Sequence, residues 1–318
     1  MKHKGFLIRA AISLVLLALL FAITDLRALF RTFQGTHLGY CAVVLALALL
    51  DRVFMAFKWN ILVRAIDIHI SFWESVRTYL ASSFVGLFLP TSVGSDVLRL
   101  FIVGVERNQR DGIAASIVVE RLVGFIALLF LFVVMASAAL FYFSFHKIGL
   151  VVAVAAVLLV VSMGILAFSL YRLPSRLLNR VPGRLGELLT RLLFSYQRYG
   201  NRKQAMLVFF GLSFLEHFLP ILCNFFVAMA LGIKVDAFAF FVIIPIILVF
   251  ARLPISLDGI GIQEGLYWVL FQMAGLSRSE ALSLALLARF LTTLALLPGG
   301  LLFMFHPGRR AMTKEGAR

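Results

Sequence analysis

The sequence predicts an all-α polytopic membrane protein, with about six full transmembrane helices and two re-entrant or broken helical hairpins in an inverted-topology repeat. Hydrophobic residues fill 62% of its 318 positions and charged residues 14%, where a soluble domain carries about 25% charged residues. Mean hydropathy is +1.01. Several apolar runs reach the roughly 20 residues that a helix needs to cross hydrocarbon. Two more apolar regions are interrupted part-way by proline and glycine. The short alternating segments of a β-barrel are missing from the sequence.

The first span, about 6–26, resembles a signal peptide in its charge and apolar run. The run is too long and lacks a small-residue cleavage site, so it reads as a retained helix. Further continuous spans fall at about 38–60, 113–144, 148–170, 204–231 and 281–304, with the interrupted regions at about 72–111 and 237–276. Lys2, Lys4 and Arg9 flank the first span. The segment 171–203 carries seven arginines and Lys203 against Glu187, and Arg309, Arg310, Lys314 and Arg318 close the chain. Basic loops stay cytoplasmic, which places both termini and 171–203 inside. With six full spans, each interrupted region must then enter and leave on one side. The alternative is eight complete spans, which requires 264–275 to count as one.

The halves correspond. Residues 1–145 run span, span, break, span, and 146–306 repeat that order inverted, followed by a basic tail at 307–318. The breaks "LPTSVGSD" (89–96) and "LPISLDGIGIQE" (253–264) share Leu-Pro-x-Ser, then glycine and an acid. Arg121 lies 31 residues after Pro90 and Arg289 lies 35 after Pro254, each roughly 12 Å into the following span. Inverted repeats place transport sites between the halves, at discontinuous helices.

Pro90 and Gly94, and Pro254, Gly259 and Gly261, loosen backbone that lipid tolerates only where protein or water meets the freed polar groups. A helix starting near Ser95 would aim N–H groups at such a cavity, which suits a phosphate or carboxylate. An ordinary loop with a serine cap is the plain alternative. "GIGIQEG" (259–265) superficially matches a dinucleotide fingerprint but has no βαβ context. Glu264 then either caps a half-helix or faces a substrate. Charges within spans are expensive and usually functional or paired. Glu120, Arg121 and Arg289 qualify: the arginines either grip phosphate or tie the breaks, Arg121 to Asp96 and Arg289 to Glu264. Asp51 with Arg52, and Glu216 with His217, are weaker candidates in corresponding repeat order, the latter pair for a proton relay. Ser92 and Ser256 are potential nucleophiles that more simply cap freed backbone.

Residues 175–203 form an amphipathic stretch, with leucines at 185, 188, 189, 192 and 193. It is expected to lie on the cytoplasmic leaflet or to dock a partner. The net charge of +15 suits anionic lipid better than nucleic acid, for which no recognition module is present. Cys41 and Cys223 suggest neither a disulfide nor a metal site. The sequence has no P-loop and no H-E-x-x-H cluster, so no cofactor or metal is expected and the chain is not read as an enzyme.

"LPTSVGSDVLR" with Pro90, Gly94 and Arg99, "ERL" with Glu120 and Arg121, "LPISLDGIGIQEG" with Pro254, Gly259, Gly261 and Glu264, and Arg289 together resemble the flippase-like integral membrane domain family. That family is also called the lysylphosphatidylglycerol synthase transmembrane region, and the resemblance covers nearly the whole chain. Asp96 departs from the glutamate more usual there. In bifunctional members a soluble aminoacyltransferase domain accompanies the membrane domain. None is read after the last span here, so the synthase activity is not carried over. The resemblance implies lipid translocation, or a role beside a separate lipid-modifying enzyme, and leaves the lipid undefined; the leading expectation is a lipid with a polar, anionic headgroup in a plasma (inner) membrane. Arg99, Arg121 and Arg289 would hold the headgroup while Asp96, Glu120 and Glu264 pair with or release them. The alternative is a non-transporting subunit that recruits or regulates a lipid-modifying transferase.

Overall fold

The computed structural model describes residues 26–88, 94–105, 109–143, 149–171, 184–252 and 259–304, and every regular element among them is helical. In order these are α1 (Leu26–Gln34), α2 (Leu38–Ala65), α3 (Phe72–Gly86), α4 (Gly94–Arg99, continuing as a π-helical turn over Leu100–Val105), α5 (Arg110–Phe143), α6 (Gly149–Tyr171), α7 (Arg184–Gln197, then a 3₁₀ turn), α8 (Lys203–Glu216), α9 (Phe218–Ala230), α10 (Ala237–Ala251), α11 (Ile262–Met273), α12 (Arg278–Leu294) and α13 (Leu297–Met304).

The protein is an all-α polytopic membrane protein. Five stretches are long and apolar enough to cross a bilayer: Leu38–Ala65, Arg110–Ala138, Val152–Leu170, Lys203–Ala230 and Arg278–Met304. The expected span at 6–26 lies outside the described residues. Both interrupted regions are pairs of short helices. At 15 residues, α3 and α10 extend only about 22 Å each, short of a hydrocarbon core about 30 Å thick.

Two of these spans carry an irregular turn part-way. The run 204–231 turns at His217 between α8 and α9, and 281–304 turns after Leu294 between α12 and α13. Each turn lies upstream of a proline: Pro220 is four residues beyond Glu216, and Pro298 four beyond Leu294. A proline offers no N–H to the carbonyl four residues earlier, and its ring crowds that carbonyl.

The halves interlock. The first hairpin's arm α3 packs against α13 of the second half, and α10 of the second half packs against α5 of the first. The first of these contacts is close: a Cβ on Gly299 would stand 2.2 Å from the Leu80 carbonyl oxygen. Asp67, after α2, pairs with Arg198 and Arg202 after α7, while the His37 amide before α2 donates to the Ala230 carbonyl after α9. These contacts put opposite ends of α2 at opposite ends of the bundle.

The amphipathic segment does more than rest on a surface. Residues 172–183 lie outside the described residues. Within α7 and its 3₁₀ turn, Leu193, Tyr196 and Tyr199 are buried in the core, and the Tyr199 hydroxyl donates to the Leu62 carbonyl at 3.0 Å. Leu188 and Phe194 face outward. An apolar stripe signals that a helix has a face to bury, and here the body takes part of it.

Two apolar cores stack along α2. Cys41, Val44 and Ala48 join one with residues of α9 to α12, and Ala56, Trp59, Leu62 and Val63 join the other with α3, α4, α5 and α7. Both cysteines are free and buried in the first core. Between the cores α2 carries Asp51, Arg52, Met55 and Lys58, a mostly polar layer about two turns deep. Glu216 and His217 on the second half, and Glu120 and Arg121 on α5, belong to the same layer.

Candidate functional site

That layer encloses a cavity of about 660 Å³. Its walls come from both halves: Arg52 and Lys58 on α2, Ser83 and Gly86 at the end of α3, Asp96 and Arg99 on α4, Glu120, Arg121 and Gly124 on α5, Glu216 and His217 at the α8–α9 turn, and Arg252 at the end of α10. The ends of α3 and α10 and the start of α4 therefore face one space. Within the first hairpin α3 and α4 approach tightly, since a Cβ on Gly86 would meet the Ser95 Cβ at 3.1 Å. Pro90 and Ser92, and Pro254 and Ser256, fall outside the described residues.

Arg99 organises the first hairpin's side. It is buried, donates from Nη2 to Asp96 Oδ1 at 2.5 Å and from Nη1 to Glu120 Oε2 at 2.6 Å. Its guanidinium lies 4.5 Å from the ring centroid of Tyr79 and 5.2 Å from that of Trp59. The Tyr79 hydroxyl donates to the other Glu120 oxygen at 3.0 Å. Arg121 donates from Nε to Asp96 Oδ2 at 2.6 Å, yet its side chain is 46% exposed. Asp96 thus joins a buried arginine to an open one, and both oxygens of each acid are occupied. Arg99 is committed on two edges and braces the carboxylates, while Arg121 faces the space.

The opposite wall is also charged. Lys58 forms a buried ion pair with Glu216 and donates to Ser213 Oγ at 3.0 Å, tying α2 to α8 across the two halves. Glu216 Oε1 stands 3.9 Å from His217 Nδ1. His217 Nε2 lies 3.0 Å from the Gly124 carbonyl oxygen, to which it donates. Arg52 donates to its neighbour Asp51 through Nε at 3.1 Å and Nη2 at 2.5 Å. Five cations line the cavity against three carboxylates, an imbalance that favours an anion in a poorly solvated space.

The second half repeats the tie outside this cavity. Arg289 Nε donates to Glu264 Oε1 at 2.6 Å, and its Nη2 to Gln263 Oε1 at 3.2 Å. The other Glu264 oxygen accepts from the Gly261 amide at 2.7 Å, capping α11. Gly259 and Gly261 take φ of 71° and 84°, the left-handed region where a side chain is strained. Acid and arginine are 25 residues apart in both ties. Neither Glu264 nor Arg289 lines the cavity that holds Arg121, so the arginines read together from the sequence occupy separate places. Where α4 has Arg99, three residues after its acid, α11 has Tyr267, whose hydroxyl donates to Asn224 Oδ1 at 2.6 Å. The first half's site is charged and the second half's counterpart is neutral at that position.

Two cavity cations, Lys58 and Arg252, were not singled out in the sequence. Lys58 lies seven residues after Asp51, two turns along one helix face, and this spacing could have marked it. Arg252 precedes Leu-Pro where the first half has Phe88. Among the described residues no group of three or more His, Cys, Asp or Glu side chains could hold a metal ion.

Residues 6–300 match the family described as the lysylphosphatidylglycerol synthase TM region. No curated protein and no solved structure matches the chain. The chain belongs to that membrane-domain family, which points to lipid metabolism or transport.

Proposed function

We propose that this family member moves a lipid with a polar, anionic headgroup between leaflets of a plasma membrane, with both termini on the cytoplasmic side. The headgroup passes through the charged cavity while the acyl chains stay in the surrounding hydrocarbon. The observation that carries this reading is the cavity: a cation-rich space of about 660 Å³ between two broken hairpins of a protein otherwise built from apolar helices. An aqueous pocket so placed holds what lipid cannot, and discontinuous helices at the junction of inverted halves suit alternating exposure of one site. Arg121 holds the headgroup, and Asp96 holds Arg121 when the site is empty. Arg99 positions Asp96 and Glu120. The Glu264–Arg289 tie secures the second hairpin. In this reading the chain transports lipid and leaves covalent chemistry to other proteins.

Purified protein in vesicles of phosphatidylglycerol and phosphatidylcholine, with a headgroup-labelled phosphatidylglycerol, tests it. The protein should move label between leaflets, and folded Arg121→Ala should slow that movement about tenfold or more, the loss of one charge-assisted contact. Movement no faster than in protein-free vesicles, or equal in Arg121→Ala, overturns the reading.

A further inference from the structure

Arg252 closes α10 at the tip of the second hairpin, two residues before Pro254. Its side chain is exposed to the cavity and makes no hydrogen bond or ion pair with a described residue, whereas Arg52, Lys58, Arg99 and Arg121 each hold a carboxylate. The lining carboxylates are already engaged: Asp96 by two arginines, Glu120 by Arg99 and Tyr79, Glu216 by Lys58. The end of α10 offers partial negative charge, about half a unit, which does not neutralise a guanidinium. A guanidinium stays charged when solvent is scarce, and Glu216, the carboxylate that acts most strongly on this one, is itself paired with Lys58. It also stands within electrostatic reach of Arg121, on the other half. Two like charges across a cavity repel when it is empty, and both are satisfied when one anion sits between them.

We propose that Arg252 and Arg121 form a seat for a lipid phosphate, which bridges the two hairpins when it binds. Phosphate oxygens accept the paired N–H groups of guanidinium from more than one direction. The phosphate class follows from the two guanidinium groups, and that the phosphate belongs to a lipid rests on the translocation reading. Occupancy links the two arginines through the ligand, where in the empty cavity they repel each other.

Native mass spectrometry of the full-length protein in detergent tests the seat, with three probes: phosphatidylglycerol, diacylglycerol of the same chains, and inorganic phosphate. The wild type should retain phosphatidylglycerol. Arg252→Ala should weaken it about ten- to a hundredfold, with partial recovery in Arg252→Lys and no change toward diacylglycerol. Arg252→Gln, which keeps much of the stem, should behave as the alanine variant and serves if that variant misfolds. Wild-type retention of phosphatidylglycerol by both neutral variants, or equal loss of diacylglycerol, overturns the proposal. So does inorganic phosphate binding as tightly as the lipid with the same Arg252 dependence, because the seat then takes a soluble anion. An Arg252-dependent lipid without movement in vesicles counts against translocation and leaves the seat standing. Movement with binding indifferent to Arg252 does the reverse.

Discussion

Replacing Gly299 with alanine should weaken the grip between the two halves. The added Cβ would lie 2.2 Å from the Leu80 carbonyl oxygen and 2.7 Å from its carbon, and both are backbone atoms of α3. To reach the 3.0 Å below which real Cβ contacts essentially never fall, α3 and α13 must part by about 0.8 Å, and such overpacking costs about 1–3 kcal/mol. Two internal comparisons separate this effect from helix propensity. Gly211→Ala meets nothing within 4 Å and should be neutral or gain up to about 1 kcal/mol from the better helix former. Gly300→Ala meets only the far end of the Phe84 ring, at 2.8 Å, and a ring can turn aside. The expected order of thermal stability in detergent, followed by the fraction surviving size exclusion after heating, is Gly211→Ala highest, then Gly300→Ala, then Gly299→Ala. If Gly299→Ala survives as well as Gly211→Ala, the close approach of α3 and α13 is wrong.

Two more predictions concern the ion pairs. Lys58→Met leaves the Glu216 carboxylate buried without its cation, for a loss of about 3–5 kcal/mol. The double variant with Glu216→Leu should recover most of it in a denaturation series, and additive losses would refute the pairing. Glu264→Gln keeps an acceptor for the Gly261 amide but removes the charge that holds Arg289. Amide exchange across 262–273 should then accelerate about ten- to a hundredfold, the loss of one charged hydrogen bond. Glu264→Leu should accelerate it further, and equal protection in all three proteins would contradict the tie.

The charged residues inside apolar runs were legible in the sequence because their desolvation is so costly that they stand out. Asp96, Arg121, Glu264 and Arg289 were singled out this way, and the matching order of break, acid and arginine suggested their pairing. Lys58 escaped because a lysine near the edge of an apolar run ordinarily snorkels to the interface. Here α2 continues to Ala65 and carries it inward. The turns at His217 and after Leu294 escaped because a lone proline in an apolar run looks tolerable, and its effect falls on a carbonyl four residues earlier. Span order suggested inverted halves, but it carries no information on which faces converge. That is why Arg121 and Arg289 were placed in one site and lie in two. The leucine stripe of α7 announced an apolar face without naming its partner, and Tyr196 and Tyr199 supply it.

The crossed packing of the halves sets the order in which the protein can be made. Helix α3 finishes at Gly86, and the glycines it leans on arrive only with α13, about 210 residues later. At a synthesis rate of about 5–20 residues per second, the first hairpin waits roughly 10–40 s for its partner. During that interval Asp96, Arg99 and Glu120 are already in the chain, all encoded before residue 125, and their mutual ion pairs are the local contacts available to hold them together in the membrane. A ribosome that stalls before α13 therefore leaves a charged hairpin without the surface that covers it, a species for the membrane's quality-control proteases.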